Sequence, residues 1–209
     1  MAEETRKEGV VFLRGKKVIL RPVDKTTDLE TCAKGINDPE VRQFLLTRVP
    51  MTRKMEEEWF EKIGRGNAEI ILAIEVDGNY IGNIALVRID WMSGTAFTGT
   101  VIFDKRYWGK GFGTDAKMVL LNYAFNTLGL RKICSSVYSF NERSLRYSLG
   151  CGYKEEGRLK AQHLRQRLVN GVPRAGEYYD EIILAVFKED FEPVWEKYIK
   201  ERRAEGTLE

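Results

Sequence analysis

Apolar residues fall into short runs broken by turn signals before one long periodic segment. Residues 70–76 and 80–87 are two such runs, and between them lies Asp77-Gly78-Asn79, a strong hairpin signal. A third run, 96–103, follows the turn Met92-Ser93-Gly94, so the middle of the chain predicts an antiparallel meander of three strands. Beyond it Ala116, Val119, Leu120, Tyr123, Ala124 and Leu128 recur at helical spacing and form one stripe closed by Gly129.

Shorter elements flank this centre. Val18-Ile19-Leu20-Arg21 reads as a strand stopped by Pro22, and residues 28–33 as a short helix. Asn37-Asp38-Pro39-Glu40 carries a cap with proline at the first helical position, and Thr52 caps a charged helix through Trp59, Phe60 and Ile63. After the long helix come a strand at 133–138, a helix at 141–149 ended by Gly150, and two strands, 165–169 and 178–187, around Asn170-Gly171. Residues 1–15 read as a lead-in and 192–209 as a charged helical tail. With no repeat and no linker, the 209 residues predict a single α+β domain.

The chemistry concentrates in one place. Trp108-Gly109-Lys110-Gly111-Phe112-Gly113-Thr114 joins the third meander strand to the long helix. Glycines let the backbone curl close to a ligand, and the first-turn amides of a helix are unpaired and point at it. The helix dipole adds roughly half a positive charge there, which makes an anion site suited to phosphate or pyrophosphate. Lys105, Arg106 and Lys110 are expected to strengthen it. The spacing is neither GxGxxG, whose third glycine would stand one residue later, nor GxxxxGK[ST]. The alternative is a glycine-rich connection without a ligand, at the entropic cost of three glycines.

Composition excludes more than it assigns. The net charge is +3, from 34 basic and 31 acidic residues, which does not argue for nucleic acid. Cys32, Cys134 and Cys151 form no CxxC pair and suggest neither disulfides nor a metal. The start lacks the apolar core of a signal peptide and no run is long enough to span a bilayer, so a cytoplasmic protein without a membrane partner is expected.

The segment from Tyr107 to Ala116 resembles the acetyl-CoA pyrophosphate loop of the GNAT superfamily of N-acyltransferases, with Trp108 at the position usually held by Gln or Arg. That replacement is similar to the RimJ and RimL branch, ribosomal-protein N-terminal acetyltransferases. Asn37-Asp38-Pro39-Glu40-Val41 resembles the branch's "NDPEV" helix start. Asn141-Glu142-Arg143-Ser144-Leu145-Arg146 with Gly152-Tyr153 resembles its "NxxSxR…GF" segment, and Asn170-Gly171 with Tyr179-Asp180-Glu181 its closing hairpin. The resemblance covers residues 15–190. It implies a mixed, mostly antiparallel central sheet flanked by helices, and acetyl-CoA as co-substrate with no metal. It also implies transfer to an amine, whether a protein N-terminus, a polyamine or another small amine.

It further implies a site. Val101, Ile102 and Phe103 match the strand that splays from its neighbour and hydrogen-bonds the pantetheine arm. Trp108, Gly109, Lys110, Gly111, Phe112, Gly113 and Thr114 match the loop that holds the pyrophosphate. Asn141 and Ser144 match contacts to the arm, although Asn141 could equally serve as a helix cap. Ser148 stands seven residues after Asn141, where many relatives place a tyrosine acid, and is the expected partner of the leaving sulfur; an ordinary helix serine is the alternative. Tyr147 reads as packing. Relatives with "AEFG" in the fourth strand carry a glutamate that Ala96-Phe97-Thr98-Gly99 lacks, which leaves Glu69, Glu75, Asp90, Glu177 and Asp180 as candidate bases, or water.

The remaining candidates carry less. His163, the sole histidine, is expected on an exposed strand, and Cys134 and Cys151 as small apolar packing. Trp59, Phe60 and Trp91 are candidates for a substrate entrance, with core packing the alternative. The rival functional reading is a catalytically silent CoA-binding module, favoured by the missing glutamate and tyrosine. A homodimer is left open.

Overall fold

Asp77 and Gly78 both adopt positive φ, 48° and 74°, the conformation of a tight hairpin turn. They join β3 (Ile70–Val76) to β4 (Asn79–Asp90), which pair antiparallel at the centre of the computed structural model. The structure describes residues 10–45, 49–169 and 172–207. β4 pairs in turn with β5 (Thr95–Ile102), so the expected meander is present. On its other side β3 takes β2 (Ile19–Pro22), and β2 takes β1 (Leu13–Arg14). Part of the expected lead-in is therefore a strand.

After β5 the chain runs through α4 (Phe112–Asn122) and a π-helical turn, Tyr123–Thr127, and returns as β6 (Lys132–Tyr138) parallel to β5. A parallel neighbour requires such a crossover. β7 (Lys154–Val169) and β8 (Val172–Phe187) form a hairpin in which β8 sits against β6, giving the order β1-β2-β3-β4-β5-β6-β8-β7. That hairpin starts well before the expected 165–169, because Lys, Glu and Arg along β7 mask its strand character. The Asn170-Gly171 turn lies outside the described residues.

Alternation along the strands assigns two faces. Ile84, Leu86 and Ile102 point with Thr98 and Thr100 toward the large core formed with α4, α5 (Glu142–Gly150) and α6 (Lys188–Ala204). Asn83, Ala85, Phe97, Gly99 and Val101 occupy the opposite face. There α1 (Lys25–Asn37) and α3 (Arg53–Lys62) close a smaller cluster of Leu29, Cys32, Phe60, Tyr80 and Phe103. α2 (Pro39–Arg42) is capped by Asp38 and α3 by Thr52, as their sequences require.

α6 is not a surface tail. Phe191 is buried against Phe125, with ring centroids 5.3 Å apart, and Tyr198 donates its hydroxyl to Asp115 Oδ1 at 2.6 Å. Asp115 also accepts the amides of Lys16, Lys17 and Val18. One carboxylate thus ties α4, α6 and the β1–β2 corner together.

Candidate functional site

β5 and β6 part company soon after they meet. Their paired residues are Thr95 with Lys132, Ala96 with Ile133 and Phe97 with Cys134, and no pair follows. From Thr98 onward the β6-facing edge of β5 is free of strand partners; Ser135 Oγ donates to the Thr98 carbonyl at 3.3 Å. A wedge opens at this fork, walled by Thr98, Thr100 and Ile102 on one strand and Ser135, Ser136 and Val137 on the other. It belongs to a cleft of about 930 Å³ that passes from one face of the sheet to the other. Free backbone groups on a strand edge suit an extended ligand that adds itself as a strand.

The glycine turn stands at the wide end of the wedge. Gly109 and Gly111 have φ of +72° and +85°, which side chains rarely tolerate. Gly111 is the N-cap of α4 and provides no side-chain cap, so the amides of Phe112, Gly113 and Thr114 have no partner within the helix. This cradle of free amides at a helix N-terminus fits a pyrophosphate. Trp108 braces it, its indole Nε1 donating to the Ile102 carbonyl at 2.8 Å. Arg143 stacks on the Trp108 ring at 4.1 Å and lines the cleft with Arg146. Lys17 donates to the Lys110 carbonyl at 3.0 Å.

Charge therefore reaches the loop from unexpected residues. Lys105 is paired with Glu40 at 2.9 Å and Arg106 with Asp104 at 2.6 Å, so neither is left to attract an anion. Of the positions matched to the cofactor, all but two line the cleft. Phe103 is turned the other way, packed on Tyr80 at 5.7 Å, because strand alternation sends it into the smaller core. The Lys110 side chain is not on the cleft wall. Asn141 lines the cleft and also caps α5, its Oδ1 accepting the Ser144 amide at 3.2 Å.

The expected acid, Ser148, does not face the cleft, whereas its neighbour Tyr147 does. Ser148 is 1% exposed, makes no hydrogen bond through its Oγ among the described residues, and is absent from the cleft wall. Tyr147 does line the cleft, and its hydroxyl donates to Thr100 Oγ1 at 2.9 Å. Burial pushes that phenol well above its usual range, although the Thr100 contact opposes the shift. Tyr147 is thus a protonated group at neutral pH, and more than packing.

None of the five candidate bases reaches the cleft. Glu75 is held by Arg21 at 2.6 Å, Asp90 caps the Met92-Ser93 turn, Asp180 accepts the Ala161 amide, Glu177 accepts the Tyr179 hydroxyl, and Glu69 lies off the cleft wall. Among the described residues two other carboxylates line it, Glu56 and Glu181. Glu56 is 1% exposed, one oxygen 3.7 Å from the Cys32 sulfur and the other without a partner. Burial raises its pKa, and the Cys32 thiol opposes that only in part. Its one sequence signal is its place four residues before Phe60, on the buried stripe of α3, and its charge makes it pass for surface.

Glu181 stands across the wedge. Burial opposes its ionisation, but hydrogen bonds from Ser136 and His163, with the charge of Arg88, hold the carboxyl below its usual range. His163 is therefore not exposed; its Nε2 lies 2.9 Å from Glu181 Oε2 and its ring packs edge-on to Tyr138. Phe97 occupies the strand position of the absent glutamate, with Arg88 over its ring at 3.6 Å. Of the aromatic candidates only Trp59 lines the cleft; Phe60 is core and Trp91 is half exposed, donating to the Asn67 carbonyl. Cys151 is buried in the core and Cys134 half-buried.

Comparison with known proteins agrees with this geometry. Residues 17–154 match the family model described as acetyltransferase (GNAT) domain. The prophage-derived uncharacterized N-acetyltransferase YokL of Bacillus subtilis is 27% identical, over 88% of this chain and 97% of its own. The spermidine N(1)-acetyltransferase of Escherichia coli is 25% identical over 83% of this chain and 88% of its own. A crystal structure of the Vibrio cholerae spermidine N-acetyltransferase with CoA and spermine shares the fold at a TM-score of 0.73, with 23% identity over 84% of this chain and 98% of that one. No helix among the described residues is long and apolar enough to cross a membrane. With the forked sheet, the glycine cradle and the matched family model together, the chain belongs to the GNAT acetyltransferases.

Proposed function

We propose that this enzyme transfers acetyl from acetyl-CoA to a single primary amine carried beside an apolar group, as at a protein N-terminus in the manner of the RimJ and RimL branch. The pyrophosphate lies on the amides of residues 112–114. The pantetheine follows the free edge of β5 past Val101 and Ile102, with Asn141 and Ser144 alongside. The acceptor enters from the opposite face, over Gly99, where a Cβ would meet nothing within 4 Å.

The observation that carries the acceptor reading is the composition of that face. Ile36, Val41, Phe44, Met51, Trp59 and Ile71 line it, and among the described residues the cleft includes just two carboxylates, Glu56 and Glu181. Glu181 is already engaged by His163, which leaves one open carboxylate oxygen for one amine. Glu56 takes the ammonium proton before attack; its raised pKa keeps it a base that releases the proton again. A polyamine, with several cations, would meet too few acids here. The polyamine reading has one argument of its own, the relatives named as spermidine acetyltransferases.

An acceptor panel separates them. Peptides with free N-termini and apolar monoamines are expected to give kcat/KM at least about tenfold above spermidine, a difference of 1.4 kcal/mol. Glu56→Gln is expected to lower kcat roughly 100-fold with little change in acetyl-CoA affinity. Spermidine as the best acceptor would reject the monoamine assignment.

A further inference from the structure

A lysine is buried at the fork with no acid beside it. Lys117, on α4, is 1% exposed yet contributes to the cleft wall. Its Nζ donates to Thr98 Oγ1 at 3.0 Å and lies 4.8 and 5.1 Å from the Tyr147 and Tyr153 rings. No carboxylate among the described residues pairs with it. Asp115, two residues earlier on α4, is occupied by the amides of residues 16–18 and by Tyr198. A buried cation without a counter-ion is costly and calls for a reason.

Hydrogen-bond accounting at Thr98 supplies one. The Tyr153 hydroxyl lies 2.8 Å from Thr98 Oγ1 and, kept protonated by burial, has no other acceptor among the described residues, so we assign it as the donor. With Lys117 also donating, both acceptor positions of the threonine oxygen are filled. Its own hydrogen must then go elsewhere. The protein acceptor in reach is the Cys134 carbonyl, at a long 3.4 Å. Thr98 is also the first residue beyond the last β5–β6 pair, so its hydroxyl stands at the apex of the wedge.

We propose that Lys117 and Thr98 form a proton-delivery pair for the leaving sulfur. The inference rests on the acetyl-transfer reading above. The amine nitrogen forms its bond to the acetyl carbon while the carbon–sulfur bond breaks and leaves its electron pair on sulfur. The Thr98 hydroxyl gives its proton to that sulfur as Lys117 passes one to the Thr98 oxygen. Glu56 has by then released the ammonium proton to solvent and takes the surplus proton of the new amide, and solvent returns one to Lys117. Products are the acetamide and free CoA thiol, so atoms and charge balance. Thr98 is the catalytic residue of the pair and Lys117 positions and recharges it.

Acidity matches the task. Burial lowers the Lys117 pKa to about 8, with a small opposing contribution from Cys151. An ordinary thiol titrates near 8.5, so transfer between them is nearly balanced. Among the described residues the other titratable groups around the ammonium are the Tyr147 and Tyr153 phenols and the Cys151 thiol, all pushed up by burial, Cys151 to about 11. None of them titrates with Lys117.

Two measurements test the pair. Lys117→Met and Thr98→Val are each expected to lower kcat about 100-fold with CoA affinity unchanged, and the double variant to lose no more than either alone. Thr98→Ser should retain activity, and the fall in wild-type kcat above pH 8 should vanish in Lys117→Met. Separately, the 13Cε resonance of Lys117, identified by its absence in that variant, is followed against pH. Adding CoA should raise the titration midpoint, and desulfo-CoA should not. Wild-type kcat and pH profile in Lys117→Met would overturn the pair and leave the acetyl-transfer reading standing. Equal response to the two cofactors would also overturn it. If no amine is turned over but CoA alone moves the resonance, acetyl transfer falls and the contact to sulfur stands.

Discussion

Gly111→Val is expected to reduce CoA affinity at least about 100-fold, close to 3 kcal/mol, in a protein that still folds. Gly111 sits at φ +85° with open space apart from the Lys17 ammonium, 3.4 Å from where a Cβ would stand. Valine is β-branched and is strongly disfavoured at positive φ. The turn must therefore swing toward negative φ, and the amides of Phe112 and Gly113 rotate away from the phosphate position. Folding strain of about 1–3 kcal/mol is the accompanying loss, since the turn is exposed and α4 is anchored by its apolar face. Isothermal titration with CoA, beside a denaturant melt, measures both. Unchanged affinity would remove the turn from cofactor binding.

Lys117→Met is expected to stabilise the protein, and the gain should depend on pH in a defined direction. The lysine pKa falls from 10.5 in the unfolded chain to about 8 in the fold, because burial disfavours the charge. Below pH 8 both states are protonated and folding bears the full cost of the buried ammonium. Between pH 8 and 10.5 the unfolded chain holds the extra proton, so stability rises with pH. Above 10.5 both are neutral and the cost is gone. At about 1.4 kcal/mol per pH unit the penalty is roughly 3 kcal/mol. Methionine fills a similar volume without charge, and uncharged replacements for buried ions are often stabilising. Urea melts at pH 7 and pH 10 should show that advantage large at the lower pH and small at the higher. A destabilised variant at pH 7 would mean that Lys117 is not an unpaired buried cation.

Local signals carried the sequence reading further than long-range ones. The Asp77-Gly78 turn, the Thr52 and Asp38 caps and the stripe of α4 are set by neighbouring residues, and each element stands where its pattern places it. The glycine turn was legible for the same reason. The fork was expected only through the family resemblance, because nothing within β5 or β6 states that pairing stops after Phe97 and Cys134. Only a crossover of α4's length, laying two parallel strands side by side, brings it about. Ser148 was read by its distance from Asn141, yet on α5 it is Tyr147 that faces the wedge. Glu56 and Lys117 are polar residues on apolar stripes, and such residues pass for surface until the packing is known. β7 hid behind its charge, and α6 behind a composition that gave little hint of Phe191 in the core.

The central claim is direct transfer, with no acyl group resting on the protein. One measurement addresses it: acetyl-CoA carrying a labelled acetyl group is mixed with stoichiometric enzyme, with and without an amine, and both thiol release and the fate of the label are followed. Thiol release only when amine is present, with all of the label on the amine, is the expected result. Label retained on the protein, or no release with any amine, would contradict it.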